Sequence, residues 1–234
     1  MQNKIGDKFK WTEESITWYE NAAQQSSYHN HIIKVIRPYL DADDNLCEIA
    51  CGTGFLAKKV APYVKSITAN DLDILALQYL QEHLSSIERE QITIVFGDWK
   101  ASLADVSFDT VIFSFFSVFF SDWDMLCDLA KKRIISIHHS KDAISFAKHK
   151  KRETYEEVSA FLNRKQITHT VIPLAIHFDQ PFSDYEDASS YFRYYYSKRS
   201  DTSLEQFLSE KVSKSPKGLC LPKVKDLGII IINL

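Results

Sequence analysis

Three acidic residues grouped around one glycine turn are the part of this chain whose types and spacing could do chemistry. The turn reads Ala50-Cys51-Gly52-Thr53-Gly54, and Glu48 stands two positions ahead of it in a short apolar run, residues 46–50. Gly52 and Gly54 carry no Cβ, so backbone there can come close to a ligand. Asp71 closes the next apolar run, 66–70, and Asp98 closes a third, 92–96, with Trp99 directly after it. An ionised carboxylate offers two acceptor oxygens, so Asp71 can take both hydroxyls of a ribose and Asp98 the amine of an adenine. Trp99 could pack its ring on the base. The glycines alone leave the ligand open, because Gly52, Gly54 and Ala57 also complete a G-x-G-x-x-A pattern that a nicotinamide-binding enzyme shows. Three acids in these places favour a cationic adenosyl ligand over an anionic pyrophosphate.

The elements that must position these residues alternate in type. Residues 46–50 lead into a helical stretch at 55–63, 66–70 into 73–86, and 92–96 into a short segment at 100–105. Further on, 109–114 lead into 122–131 and 133–138 into 153–165. This alternation predicts an α/β fold, a parallel sheet with helices on both faces. Two more strands are expected at 168–178 and 228–233. The first forty residues are predicted to be helical and amphipathic, with Trp11, Ile16, Tyr19, Ile32 and Ile36 recurring at helical spacing. Between the last two strands lies an aromatic segment that includes Tyr191-Phe-Arg-Tyr-Tyr-Tyr196 and a predicted helix at 204–212.

As a set, these motifs resemble the class I S-adenosylmethionine-dependent methyltransferases over residues 45–138. The family's first motif, acidic-x-Gly-x-Gly-x-Gly, stands here as Glu48-Ile-Ala50-Cys51-Gly52-Thr-Gly54, with Ala50 in place of the first glycine. Its ribose acid falls on Asp71, its adenine-side acid on Asp98 and its fourth motif on residues 108–114. The resemblance implies a seven-stranded, mostly parallel Rossmann-like methyltransferase sheet of order 3-2-1-4-5-7-6, with the last strand antiparallel. It implies an N-terminal helical cap at 1–41 and a methyltransferase domain at 42–234, in which 180–226 form an insertion over the active site. It also implies S-adenosyl-L-methionine as cofactor, held by Tyr19, Glu48, Ala50, Cys51, Gly52, Gly54, Asp71, Leu72, Asp98, Trp99 and Ser114. Base-amine methyltransferases that resemble this fold carry Asn or Asp followed by Pro-Pro-aromatic after the fourth strand. Here the stretch is Ser114-Phe-Phe-Ser117, which argues against methylation of exocyclic base amines or of glutamine. A Pro-Cys nucleophile is missing too, since Cys127 lies in a helical run.

The expected partner is a small-molecule acceptor methylated at O, N or S, contacted by Tyr28, Phe115, Arg193, Tyr194 and Tyr195. His138 and His139, at the end of the fifth strand, are the candidate general bases, because imidazole titrates near neutrality. Plainer readings stand beside these: the tyrosines as a packing face, the histidines as strand-end residues bonded to backbone. A net charge of −3 disfavours a nucleic-acid partner. Two basic clusters, Lys131-Lys-Arg133 and Lys148-His-Lys-Lys-Arg152, keep an RNA methyltransferase as an alternative, and a catalytically silent cofactor-binding module is a third. The four cysteines form no C-x-x-C pair and the histidines no H-x-x-x-H, so no metal site and reduced thiols are expected. With no membrane-length apolar run and no apolar signal core, the expected address is the cytoplasm.

Overall fold

The computed structural model describes residues 10–142, 153–195, 201–215 and 218–234. Helices α1 (Glu13–Ser26) and α2 (Tyr28–Ile36) come first and break at Ser27, which has φ 52°. Thr12 starts α1 with a capping box: its hydroxyl accepts the Ser15 N–H, and the Ser15 hydroxyl accepts the Thr12 N–H. Strand and helix then alternate through β1 (Asn45–Ile49), α3 (Phe55–Val60), β2 (Ser66–Asp71), α4 (Ile74–Glu82), α5 (Ser86–Gln91) and β3 (Ile92–Phe96). The series continues with α6 (Trp99–Ser102), β4 (Phe108–Ser114), α7 (Phe119–Leu129), β5 (Ala130–His139), α8 (Tyr155–Arg164) and β6 (His169–His177). The last part holds β7 (Gln180–Phe182), α9 (Tyr185–Tyr195), α10 (Asp201–Lys211), β8 (Ser213–Ser215), β9 (Gly218–Leu221) and β10 (Val224–Asn233).

Seven strands form the main sheet in the order β3-β2-β1-β4-β5-β10-β6. The pairs among β1 to β5 are parallel, and β10 runs antiparallel to both β5 and β6. This is the order expected from the sequence, with β10 as the seventh strand. Side chains of a strand alternate between faces, and the run Ile229 to Ile232 shows it directly. Ile229 and Ile231 enter the core with Leu46, Ile112, Ile135 and Ile137 under α2 and α3. Ile230 and Ile232 enter the opposite core with Ile49, Val111, Phe113 and Ile134 under α7 and α8. Burial on both faces explains the near-continuous apolar run.

Three details depart from the expected elements. First, β10 begins at Val224, four residues before the expected start at 228, because Val224–Asp226 pair with Ala175–His177 of β6. Second, α7 begins at Phe119 and not at 122. Its first amides are bonded from outside the helix by Glu153, whose carboxylate accepts the N–H groups of Val118, Phe119 and Phe120. Third, the segment between the last two strands holds a small antiparallel sheet, β7-β9-β8, beside its helices. A third apolar cluster joins Phe182, Tyr191, Phe192 and Leu221 of this segment to Trp18 of α1.

Candidate active site

The glycine turn leaves the carboxyl end of β1 and opens α3. Ala50, Gly52 and Gly54 all have positive φ, at 54°, 54° and 70°. Gly54 is held to glycine twice over, since a Cβ there would also lie 2.4 Å from Leu80 Cδ1. Ala50 occupies the left-handed region at a cost of about 1–2 kcal/mol for an L-residue. The departure from the family's glycine is therefore one of backbone strain more than of width. Cys51 is buried and its N–H donates to the Asn70 carbonyl, which ties the turn to β2.

Asp71 ends β2 beside the turn. One carboxylate oxygen accepts the Gly52 N–H at 2.6 Å and the other the Asp73 N–H at 2.8 Å. Each oxygen keeps a further lone pair, so the residue both braces the turn and can still accept a ligand's hydroxyls. Leu72 follows it and is exposed. Glu48 is buried on the same face as Leu46, and its Oε2 has no hydrogen-bond partner. Burial pushes its carboxyl up to about 8, with the Asp71 carboxylate adding to the rise and the Ala57 N–H opposing it. A buried polar atom without a partner is costly and uncommon, and here it lies beside the bare backbone of the turn.

Next to Glu48, α2 packs against α3 and β6, and aromatic side chains of α1 and α2 join Phe55 and Phe178 in an aromatic cluster. The Tyr19 hydroxyl meets His29 Nε2 at 3.1 Å, and the His29 ring stacks on Phe55 at 5.5 Å. Tyr28 is buried, packs edge-on to Phe178 and has no partner for its hydroxyl. Burial raises the phenols of both tyrosines, with Glu48 adding to Tyr19 and Tyr19 adding to Tyr28. His29 is pushed down to about 3 by burial and by the charges of Lys225 and Lys59. The Lys225 ammonium stands 3.5 Å from the Phe178 ring centroid, 4.5 Å from Tyr28 and 5.5 Å from both Tyr19 and Phe115. Phe115, the first residue after β4, has φ 56° and stacks on His139 at 4.2 Å. Ser114, half-buried, ends β4 beside it.

Several expected residues take other places. His138 and His139 are neighbours on one strand and so face opposite sides of the sheet. His139 joins Phe115. His138 is buried against Phe113 and Phe119 in the other core, its Nδ1 3.3 Å from the Glu153 carbonyl and its Nε2 without a partner. Burial pushes it down to about 4 and keeps it neutral, and its place in the opposite core turns it away from the Tyr19–Phe115 side. Trp99 is buried in that same core and is not an open platform for a base. Asp98 is exposed and caps α6 by accepting the Lys100 N–H. Tyr194 and Tyr195 pack around Trp18 at 5.9 and 6.2 Å, the Tyr194 hydroxyl bonding the Lys10 carbonyl, and Arg193 is exposed. They pin α1 to the insertion. A groove of about 490 Å³ between α1 and α9, lined by Glu13, Glu14, Asp184, Glu186 and Asp187, lies on this outer side.

Sequence reasoning missed Phe55, Phe178 and Lys225 and gave Trp11 only as a position at helical spacing. Trp11 roofs the turn: its N–H donates to Asp73, and its ring would stand 3.2 Å from a Cβ at Gly52.

Residues 47–132 match the protein family described as Methyltransferase domain. That stretch, from β1 into β5, is a methyltransferase domain. Among solved structures of similar fold is the YcgJ protein of Bacillus subtilis, 15% identical with a TM-score of 0.58, over 88% of this chain and 98% of that chain. Precorrin-6y C5,15-methyltransferase of Geobacter metallireducens is 12% identical with a TM-score of 0.54, over 87% and 85%. A candidate RNA methyltransferase of Pyrococcus horikoshii, PH1948, is 14% identical with a TM-score of 0.54, over 96% and 99%. No curated protein matches the sequence. Methyltransferases of that family use S-adenosylmethionine, and the turn fits that cofactor: bare backbone at Gly52 and Gly54, open lone pairs on Asp71, and an orphaned buried oxygen on Glu48.

Proposed function

We propose that the enzyme transfers a methyl group to an O, N or S atom of a small-molecule acceptor by in-line displacement. The observation that supports this reading is the aromatic cluster of Tyr19, Tyr28, Phe115 and Phe178 beside Glu48, rings suited to pack on a small organic acceptor. S-adenosylmethionine, when bound, supplies a methyl group activated on a sulfonium. In this proposal Gly52 and Gly54 give backbone access, Asp71 accepts the ribose hydroxyls, Leu72 offers an apolar face, and Glu48 accepts from the cationic end. Cys51 and Ser114 border the same edge. Tyr28 and Phe115 orient the acceptor, and α1 and α2 exclude water. His139 is the remaining candidate to take a proton, from an acceptor that must lose one. Positioning supplies most of the effect, since well-oriented groups gain about 7–11 kcal/mol over a bimolecular encounter.

The RNA reading has weaker support. Lys131, Lys132 and Arg133 lie near the start of β5, at the edge opposite His139 and Phe115, about 20 Å along the strand at about 3.3 Å per residue. Lys132 bridges to Asp44 at 2.7 Å and Asp109 at 3.2 Å, while Arg133 bonds the Tyr39 carbonyl and Asn233. The second basic cluster, 148–152, lies outside the described residues. Incubation with methyl-labelled S-adenosylmethionine, a metabolite extract and, separately, total RNA distinguishes the readings. Label in a small acid-soluble product is expected. Label in RNA would support the alternative, and label in neither pool would support the silent module.

A further inference from the structure

Glu48 and Asp71 bring two carboxyl groups to one glycine turn, near the ends of the adjacent parallel strands β1 and β2. Among the described residues neither takes part in an ion pair. The two are unequally supplied with donors. Asp71 is partly exposed, and its oxygens accept the Gly52 and Asp73 N–H groups. Burial raises its carboxyl, and these two bonds oppose the rise. Glu48 is buried more deeply, takes only the Ala57 N–H, and leaves Oε2 without a donor. A carboxylate removed from water without a cation is unfavourable and is neutralised by holding a proton. Of the two groups, Glu48 is therefore the one that keeps it.

The other titratable groups around Glu48 leave that proton in place. Cys47 on β1, Cys51 in the turn and Tyr19 on α1 are raised by burial, with Glu48 adding to each, so all three are neutral at neutral pH. Behind Tyr19, His29 of α2 is neutral as well, pushed down by burial and by the charges of Lys225 and Lys59. Asp71 is the charged neighbour, and its sign favours the proton on Glu48. We propose that binding of the cofactor's α-ammonium expels the Glu48 proton, so that the affinity for S-adenosylmethionine and S-adenosylhomocysteine is linked to pH through this one carboxyl. The carboxyl O–H bond breaks, its electron pair stays on the carboxylate that then pairs with the ammonium, and the proton passes to the buffer. The inference rests on the cofactor reading above and adds a proton to it. Below the titration of Glu48 each binding event must displace the proton, and above it none is left to displace, so affinity rises with pH. With the carboxyl at about 8, about nine-tenths of the molecules hold the proton at pH 7 and about a tenth at pH 9.

The test is calorimetric titration of the whole protein with S-adenosylhomocysteine and with 5′-methylthioadenosine, which has no ammonium, in buffers of different ionisation enthalpy. The dependence of the heat on the buffer gives the number of protons exchanged. The wild type is expected to release about 0.9 proton more than Glu48→Gln on binding S-adenosylhomocysteine at pH 7, and about 0.1 more at pH 9. Taking the difference from Glu48→Gln cancels the titration of the ligand itself. With 5′-methylthioadenosine the two proteins should release equally little. Equal proton release by the wild type and Glu48→Gln with S-adenosylhomocysteine overturns the proposal, since a purely structural Glu48 would give that result. Equal release with the two ligands on the wild type overturns it as well. If Glu48→Gln does not fold, the comparison of the two ligands on the wild type decides. A wild type that binds neither ligand refutes the cofactor assignment and the proposal with it, whereas binding without proton release refutes the proposal alone.

Discussion

Replacing Glu48 by Gln separates the cost of ionising this carboxyl from its hydrogen bonding. Glu48 is 3% exposed, and burial, with Asp71 adding to it, moves its carboxyl from 4.5 up to about 8. The folded state therefore holds the proton more tightly than the unfolded chain does. By linkage, the stabilisation is complete below pH 4.5, declines as pH rises towards 8, and is gone above it. At about 1.36 kcal/mol per pH unit, the loss is of order 3 kcal/mol by pH 7 and about 5 kcal/mol when complete. His29 and His138, pushed down to about 3 and about 4, act in the opposite sense. They add stability that is present above about pH 6.5 and lost as pH falls, but they do so in both proteins and cancel in the difference. Urea denaturation of the wild type and Glu48→Gln from pH 5 to 8.5 is the assay. The stability of the variant relative to the wild type should rise by about 3–5 kcal/mol across that range. A difference constant to within about 1 kcal/mol would refute the reasoning, because it would mean that the carboxyl is solvated.

Two further outcomes test the scaffold. Gly54→Ala meets both a positive φ of 70° and a contact of 2.4 Å with Leu80 Cδ1, so a loss of about 2–4 kcal/mol is expected in denaturant titration; a neutral result would contradict the described turn. Glu153→Ala removes the acceptor for three amides at the start of α7 and should cost about 2–4 kcal/mol, with Glu153→Gln recovering part of the loss.

The sheet was legible because its signals are local and repeated. Apolar runs alternating with helical stretches, followed by two successive late strands, specify a mostly parallel sheet, and the family resemblance supplied the strand order. Gly52, Gly54, Asp71 and Glu48 were legible because their spacing along two adjacent strand ends translates directly into proximity. What escaped depends on contacts distant in sequence. Lys225 reaches the aromatic cluster because β10 starts at Val224, and the stretch Val224-Lys225-Asp226 carries no apolar run to announce a strand. Trp99 and the pair His138 and His139 show the other limit. Proximity in sequence to a site says nothing about which face of the sheet a side chain takes, and a difference of one residue sent His138 into the wrong core. The tyrosines of α9 were legible as a cluster, but their partner, Trp18 of α1, lies some 170 residues earlier and turns them into a packing face.

The central claim is that Glu48, the Gly52–Gly54 turn and Asp71 hold S-adenosylmethionine. Calorimetric titration of the purified protein with S-adenosylmethionine and, separately, with NAD tests it most directly. The account predicts micromolar binding of S-adenosylmethionine and none of NAD. It also predicts that Asp71→Asn, checked for an unchanged melting temperature, weakens binding by about 1.5–3 kcal/mol, roughly 10- to 150-fold. Tight binding of NAD with no binding of S-adenosylmethionine would contradict it.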